Sequence, residues 1–138
     1  MLGRTRSLTS LFLFFGLILT DQSLKHLIAY VFPNWIVCNA GGSWGVAIPL
    51  PILIAFSIGI LVWMIGIQWK QKRLRASFLL IIAGGTGNLL DRLLRGCVID
   101  FISVPYFPIF NSADFFLSIG CLLLLMSWRH NRIHTLRD

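Results

Sequence analysis

Four stretches of this chain, roughly Leu8 to Ile28, Pro51 to Trp69, Ala76 to Leu94 and Ile109 to Trp128, are apolar almost without interruption. Each is near the ~20 residues that carry a helix across a bilayer. Hydrocarbon offers no water to backbone N–H and C=O groups, so such segments form helices whose backbone groups pair internally. The expected architecture is therefore an all-α membrane protein, a four-transmembrane-helix bundle in a single domain over residues 1–138. A chain that is 57% hydrophobic and 12% charged also lies far from ordinary soluble domains.

The first apolar stretch follows Arg4 and Arg6, as a cleaved leader would. It lacks a small-x-small site after the run and reads as a retained helix. A formal net charge of +7 would suit a nucleic-acid binder, but the basic residues fall at the ends and between the apolar stretches, where they encode topology. No nucleic-acid partner is expected. Arg4 and Arg6, then Lys70, Lys72, Arg73 and Arg75, then Arg129, Arg132 and Arg137 mark both termini and the middle connection as cytoplasmic. The connections Ala29 to Leu50 and Arg95 to Pro108 then face outward. Cys38, Cys97 and Cys121 show no C-x-x-C spacing and no metal-ligand pattern with His, and they read as small apolar fillers.

Glu is absent, and four of the five Asp lie in or beside the apolar stretches, as Asp21, Asp91, Asp100 and Asp114. Carboxylates are costly in a membrane and are functional by default. With this topology all four fall at one membrane surface, level with Asn39, Asn88, Arg92 and Asn111. A polar site open to lipid and to outside water is the natural inference.

The neighbours of each carboxylate divide the set. Asp21 and Lys25 are spaced i, i+4, the order such pairs prefer. They read either as a structural ion pair with Lys25 snorkelling outward or as a pair that positions substrate. Asn88, Asp91 and Arg92 share a face after Gly84-Gly85-Thr86-Gly87, where glycines let membrane helices approach closely. Asp91 beside Arg92 reads as a neutralised pair in a polar clasp. Asp100 and Asp114 have no basic residue within a helical turn and are flanked by large apolar side chains, which raise a carboxyl pKa. Unbroken helix would hold them about 21 Å apart, but Pro105 and Pro108 break it and let the chain fold back. Two carboxyls in reach of one another share a proton, and such a pair can act as base and acid at once. On spacing alone, a local cap or pairing of Asp114 with Asn111 stays open.

Several motifs occur in one order: Asp21-Gln22 with Lys25; Asn39-Ala40-Gly41 followed by Trp44-Gly45; Gly84 to Arg92; Gly96-Cys97-Val98-Ile99-Asp100-Phe101; and Phe110-Asn111-Ser112-Ala113-Asp114. In these the chain resembles the lipoprotein signal peptidases, or signal peptidase II, over nearly its whole length. The resemblance implies a multi-pass intramembrane aspartic endopeptidase of the bacterial cytoplasmic membrane, with both termini cytoplasmic. Its catalytic pair would be Asp100 and Asp114, near the outer face. It also implies prolipoprotein substrates with a diacylglyceryl-modified Cys, cleaved on the N-terminal side of that Cys. Asp21, Asn39, Gly41, Asn88, Arg92 and Asn111 match positions that line or support the site, and Lys25 and Asp91 join that supporting set. The family further implies an extracytoplasmic β-cradle, here within Ala29 to Ile48, and a short outer helix between the third and fourth spans. Neither metal nor organic cofactor is expected. Membrane lipid is the other partner, and nothing demands more than a monomer.

Two departures stand out. The stretch from Asp21 to Asn39 is short for the family, and Ser43-Trp44-Gly45 stands where Ala-Phe-Gly is common, so that an indole can narrow the pocket or reach a headgroup. Two rivals place carboxylates in a membrane as well: a four-helix transporter with proton relays, and a noncatalytic assembly subunit with polar groups as interhelical glue.

Overall fold

The structure is a computed structural model that describes residues 2–41, 46–70 and 75–135. Ser43, Trp44 and Gly45, with the basic residues Lys72, Arg73 and Arg137, lie outside the described residues. The four apolar stretches form four long helices: α1 (Leu2–Val31), α2 (Leu50–Lys70), α3 (Arg75–Arg95) and α4 (Ser112–Thr135). Within them Leu8–Val31, Leu50–Gln68, Ala76–Arg95 and Ser112–Arg129 are long and apolar enough to cross a membrane.

The helices are not equivalent. Half of the α3 span is buried inside the protein, against 6% to 17% of the other three, and α3 packs on α1, α2 and α4. It is the central post, and its glycines explain why. A methyl on Gly87 would come within 2.6 Å of Asp21 Oδ2, and one on Gly84 would collide with the Ala113 carbonyl oxygen. At these two positions only hydrogen leaves room for α1 and α4 to approach. The outer faces of α1, α2 and α4 carry exposed Phe12, Phe15, Phe56, Val62, Leu122 and Met126, as side chains that meet lipid tails do.

Both connections at the Asp-rich end are short and tied together. After α1, one turn of 3₁₀ helix (Pro33–Trp35) leads into β1 (Val37–Asn39), which pairs antiparallel with β2 (Val98–Asp100) from the other connection. The register sets Val37 opposite Asp100, Cys38 opposite Ile99 and Asn39 opposite Val98. Among the described residues the sheet therefore draws one of its strands from the Ala29 to Ile48 stretch, and the second comes from the segment that bears Asp100. β2 is buried throughout, whereas Val37 and Cys38 of β1 are exposed.

Chain reversal after α3 uses local chemistry. Gly96 takes φ +77°, the left-handed conformation that ends helices and that glycine adopts freely, and turns the chain into β2. Beyond it, Ile102 and Phe110 form a β-bridge around a turn closed by the Phe107 N–H to the Val104 carbonyl at 3.1 Å. Pro105 holds the second turn position, and Tyr106, with φ 64°, the third, which is the type II pattern. Residues 101–111 thus form a hairpin-like loop, and the short helix expected between the third and fourth spans is absent there. Two prolines three apart, with the bridge closing around them, favour reversal over a helical turn. The loop that holds Pro105 and Pro108 leaves Asp100 and Asp114 lining one cavity.

The close approach at α3 gives a direct test. Gly87→Ala should lower thermal stability in detergent by about 1–3 kcal/mol through overpacking. Gly59→Ala on α2, where an added methyl meets nothing within 4 Å, should leave the melting temperature unchanged or slightly raised.

Candidate active site

Lys25 is fully buried, and its ammonium has three acceptors: Asp91 Oδ2 at 2.8 Å, Asp21 Oδ2 at 2.9 Å and Asn88 Oδ1 at 3.1 Å. An ammonium has three protons, so each is used. The i, i+4 pair read from the sequence exists, but Lys25 does not snorkel, because α3 lies across its path and supplies two of the three acceptors.

Further groups complete the cluster. Ser112 Oγ donates to Asp21 Oδ1 at 2.5 Å. Gln22 Nε2 reaches the Gly87 carbonyl at 3.2 Å and Asp91 Oδ1 at 3.1 Å. Arg95 forms an ion pair with Asp91 Oδ1 from i+4. Asp91 therefore pairs with Lys25 and Arg95, not with Arg92 as adjacency implied, since successive residues on a helix do not face one another. The Asp91–Arg95 spacing is the same one that marks Asp21–Lys25, and it was the available sequence cue for Arg95. Ser112 and Gln22 carried none beyond standing next to Asn111 and Asp21.

Asn88 is the link to the second set. Its Oδ1 accepts from Lys25, and its Nδ2 donates to Asp114 Oδ1 at 2.8 Å. Asn111 is a second such link. Its Nδ2 donates to Asp100 Oδ1 at 2.6 Å, while its Oδ1 accepts the Asp114 backbone N–H at 3.1 Å. Asp114 Oδ2 in turn accepts the Asn111 N–H at 3.3 Å. That reciprocal pair is a capping box at the start of α4. The local cap and the placement of the Asp114 carboxyl at the site are therefore one arrangement. Asn39 Nδ2 donates to Asp100 Oδ2 at 3.1 Å, and the Asn39 Oδ1 is held by the Gly41 N–H at 3.1 Å. A methyl on Gly41 would lie 2.6 Å from the Val46 carbonyl oxygen, so the turn after Asn39 admits only glycine.

Asp100 and Asp114 lie on the wall of one cavity of about 440 Å³, with Asn39, Asn88, Arg92 and Ser118 as its other polar lining and Phe107, Ile109, Phe115 and Leu117 among its apolar lining. Burial raises the Asp100 carboxyl above its ordinary range, against the lowering effect of the Asn111 and Asn39 amides; the charge of Asp114 adds to the rise and Lys25 opposes it. Arg92, which the sequence placed in a closed pair with Asp91, instead shares the cavity wall with both carboxyls. Among the described residues its Nε is buried without a hydrogen-bond partner. The cysteines are not all fillers: Cys38 and Cys97 form a disulfide, with Cα atoms 5.5 Å apart, while Cys121 is free and exposed. Nothing in their spacing of 59 residues could have paired them.

Fold and site define a small multi-pass helical membrane protein whose polar side chains gather at one end around two carboxyls on a shared cavity. The model of the family described as signal peptidase (SPase) II matches residues 13–129. The lipoprotein signal peptidase of Chlamydia muridarum is 41% identical over 110 residues, covering 72% of this chain and 64% of the relative. That of Caldicellulosiruptor bescii is 54% identical over 48 residues, covering 35% of this chain and 32% of the relative. The matches thus span less than two thirds of the first relative's length and about one third of the second's. A solved structure described as a bacterial membrane enzyme superimposes with a TM-score of 0.80 at 28% identity, covering 90% of this chain and 89% of that one. The chain belongs to the signal peptidase II family.

Lys25→Met leaves two buried carboxylates short of a cation and should cost about 3–5 kcal/mol of stability, read as a lowered thermal midpoint in detergent. Arg95→Met, at a side chain that is 31% exposed, should cost no more than about 1 kcal/mol.

Proposed function

We propose that this chain is an integral membrane peptidase domain, an aspartic endopeptidase that removes signal peptides from diacylglyceryl-modified bacterial prolipoproteins. The observation that carries the reading is the cavity wall itself, where Asp100 and Asp114 stand together and every carboxylate oxygen meets an amide donor. Those donors leave further lone pairs free for a water or a proton.

In the proposed reaction the pair holds one proton. The ionised carboxylate takes a proton from water as its oxygen attacks the scissile carbonyl carbon, and the protonated carboxyl gives its proton to the carbonyl oxygen. The tetrahedral intermediate then collapses, the C–N bond breaks, and the amine of the lipidated Cys leaves with a proton returned from the pair. Two carboxyls with one proton carry a charge of −1, which Arg92 on the same wall balances. The reaction uses water and protein carboxyls alone. A signal peptide reaches the enzyme as a membrane helix, whose peptide bonds are protected by internal pairing. A cavity at the membrane surface, polar on one side and lined by Phe107, Ile109, Phe115 and Leu117 on the other, suits an unwound segment whose acyl chains stay in lipid.

The topology belongs to the same proposal, with both termini cytoplasmic, the cavity near the outer face of the bacterial inner membrane, and a monomer as the working unit. The basic residues support that orientation, and so does the Cys38–Cys97 bridge, since disulfides persist on the oxidising side of a membrane.

The test is cleavage of a diacylglyceryl-modified prolipoprotein by the purified protein in detergent. Asp100→Asn and Asp114→Asn should each reduce the rate by about 10²–10⁴-fold while leaving the melting temperature near that of the wild type. Cleavage that survives either substitution at the wild-type rate contradicts the pair.

A further inference from the structure

We propose that the Cys38–Cys97 disulfide is a positioning device for the carboxyl pair: it holds Asn39 on Asp100, and its reduction disarms the site. This inference rests on the aspartic reading above and adds to it a redox requirement.

Without the bridge, β1 is weakly held. It has three residues, pairs with one neighbour strand among the described residues, and exposes Val37 and Cys38 to solvent. A two-stranded sheet of this kind is marginal at best. β2 is anchored differently, because Val98, Ile99 and Asp100 are all buried and the Ile99 N–H reaches Asp91 Oδ2 at 3.4 Å. Asp100 therefore stays in place when β1 does not. Asn39, the next residue after Cys38, is the group that β1 contributes, and its amide is one of the two side-chain donors to Asp100 among the described residues. A covalent bond between the exposed Cys38 and the buried Cys97 closes a 59-residue separation and ties the exposed strand to the buried connection. Loop closure of that length is where a cross-link restrains the chain most.

Reduction is ordinary thiol–disulfide exchange. A dithiol attacks the bridge, the S–S bond breaks, two electrons and two protons pass to Cys38 and Cys97 as thiols, and the dithiol leaves as its own disulfide. Oxidation by a disulfide reagent such as oxidised glutathione runs the balance in reverse and releases two equivalents of the reduced thiol. With β1 released, Asp100 loses the Asn39 donor and faces Asp114 from α4, Arg92 from α3 and Lys25 from α1 without it.

The experiment uses the full chain in detergent in a Cys121→Ser background, so that only the two bridging thiols respond. Alkylation of the denatured protein should label neither cysteine before reduction and both after it. Cleavage of the lipid-modified prolipoprotein should fall roughly ten- to hundredfold in kcat on reduction, with a much smaller change in KM, and recover on reoxidation. The decisive arm is Asn39→Ala, in which reduction should produce little further loss, because bridge and amide act through one contact. The same fractional loss in Asn39→Ala as in the wild type overturns the proposal, as does full activity with both thiols alkylated, or labelling of either cysteine without reductant. If the oxidised protein cleaves nothing, the peptidase reading fails and takes this inference with it; if it cleaves and reduction changes nothing, only this inference falls.

Discussion

A buried ammonium sets the terms for the polar end of this protein. Lys25 has no exposure and three acceptors at 2.8–3.1 Å. An uncompensated charge in such surroundings costs several kcal/mol even after relaxation, so Asp21, Asp91 and Asn88 all have to be in place. Asp21 comes from the same helix one turn back, whereas Asp91 and Asn88 come from α3. Satisfying one cation therefore fixes the rotation and depth of α1 against α3, and the absent side chain at Gly87 leaves room for the Asp21 carboxylate. With Arg95 on Asp91, two cations meet two carboxylates and the cluster carries no net charge.

The second carboxylate set depends on the first through Asn88. Lys25 takes the Asn88 oxygen, which turns the amide nitrogen toward Asp114. Ser112, on Asp21, pins the start of α4 at the same level, where the capping box of Asn111 and Asp114 sets the helix end and the carboxyl in one step. Asn111 then extends to Asp100. Carboxamides suit these linking positions because each carries both a donor and an acceptor and no charge. They can orient two acids without settling how many protons those acids hold, and Arg92 stands on the same wall, where it would balance the single negative charge of the proposed half-protonated pair.

Much of this was legible in the residues. The four spans follow from hydropathy, the gathering of Asp21, Asp91, Asp100 and Asp114 at one end follows from topology, and the Asp21–Lys25 pair follows from helical spacing. What stayed hidden belongs to contacts between elements. Lys25 looked able to reach water because a single helix carries no sign of the α3 face that covers it. Arg92 was assigned to Asp91 by adjacency, although a rotation of about 100° per residue sends the two apart. The Cys38–Cys97 bridge and the β1–β2 register join two connections whose pairing no local pattern encodes. The loop from Phe101 to Asn111 showed its reversal through Pro105 and Pro108, but not that a β-bridge would replace the outer helix.

In the proposed mechanism Asp100 and Asp114 work as one unit holding a single proton. The pH dependence of kcat/KM for prolipoprotein cleavage by the oxidised wild-type protein tests it most directly. As pH falls, the ionised member of the pair is protonated and the base is lost. As pH rises, the shared proton leaves and the acid is lost. A bell with both limbs is expected, the alkaline one above the ordinary carboxylate range because burial raises Asp100. Activity that stays flat or keeps rising toward acid pH, with the protein still folded, contradicts it.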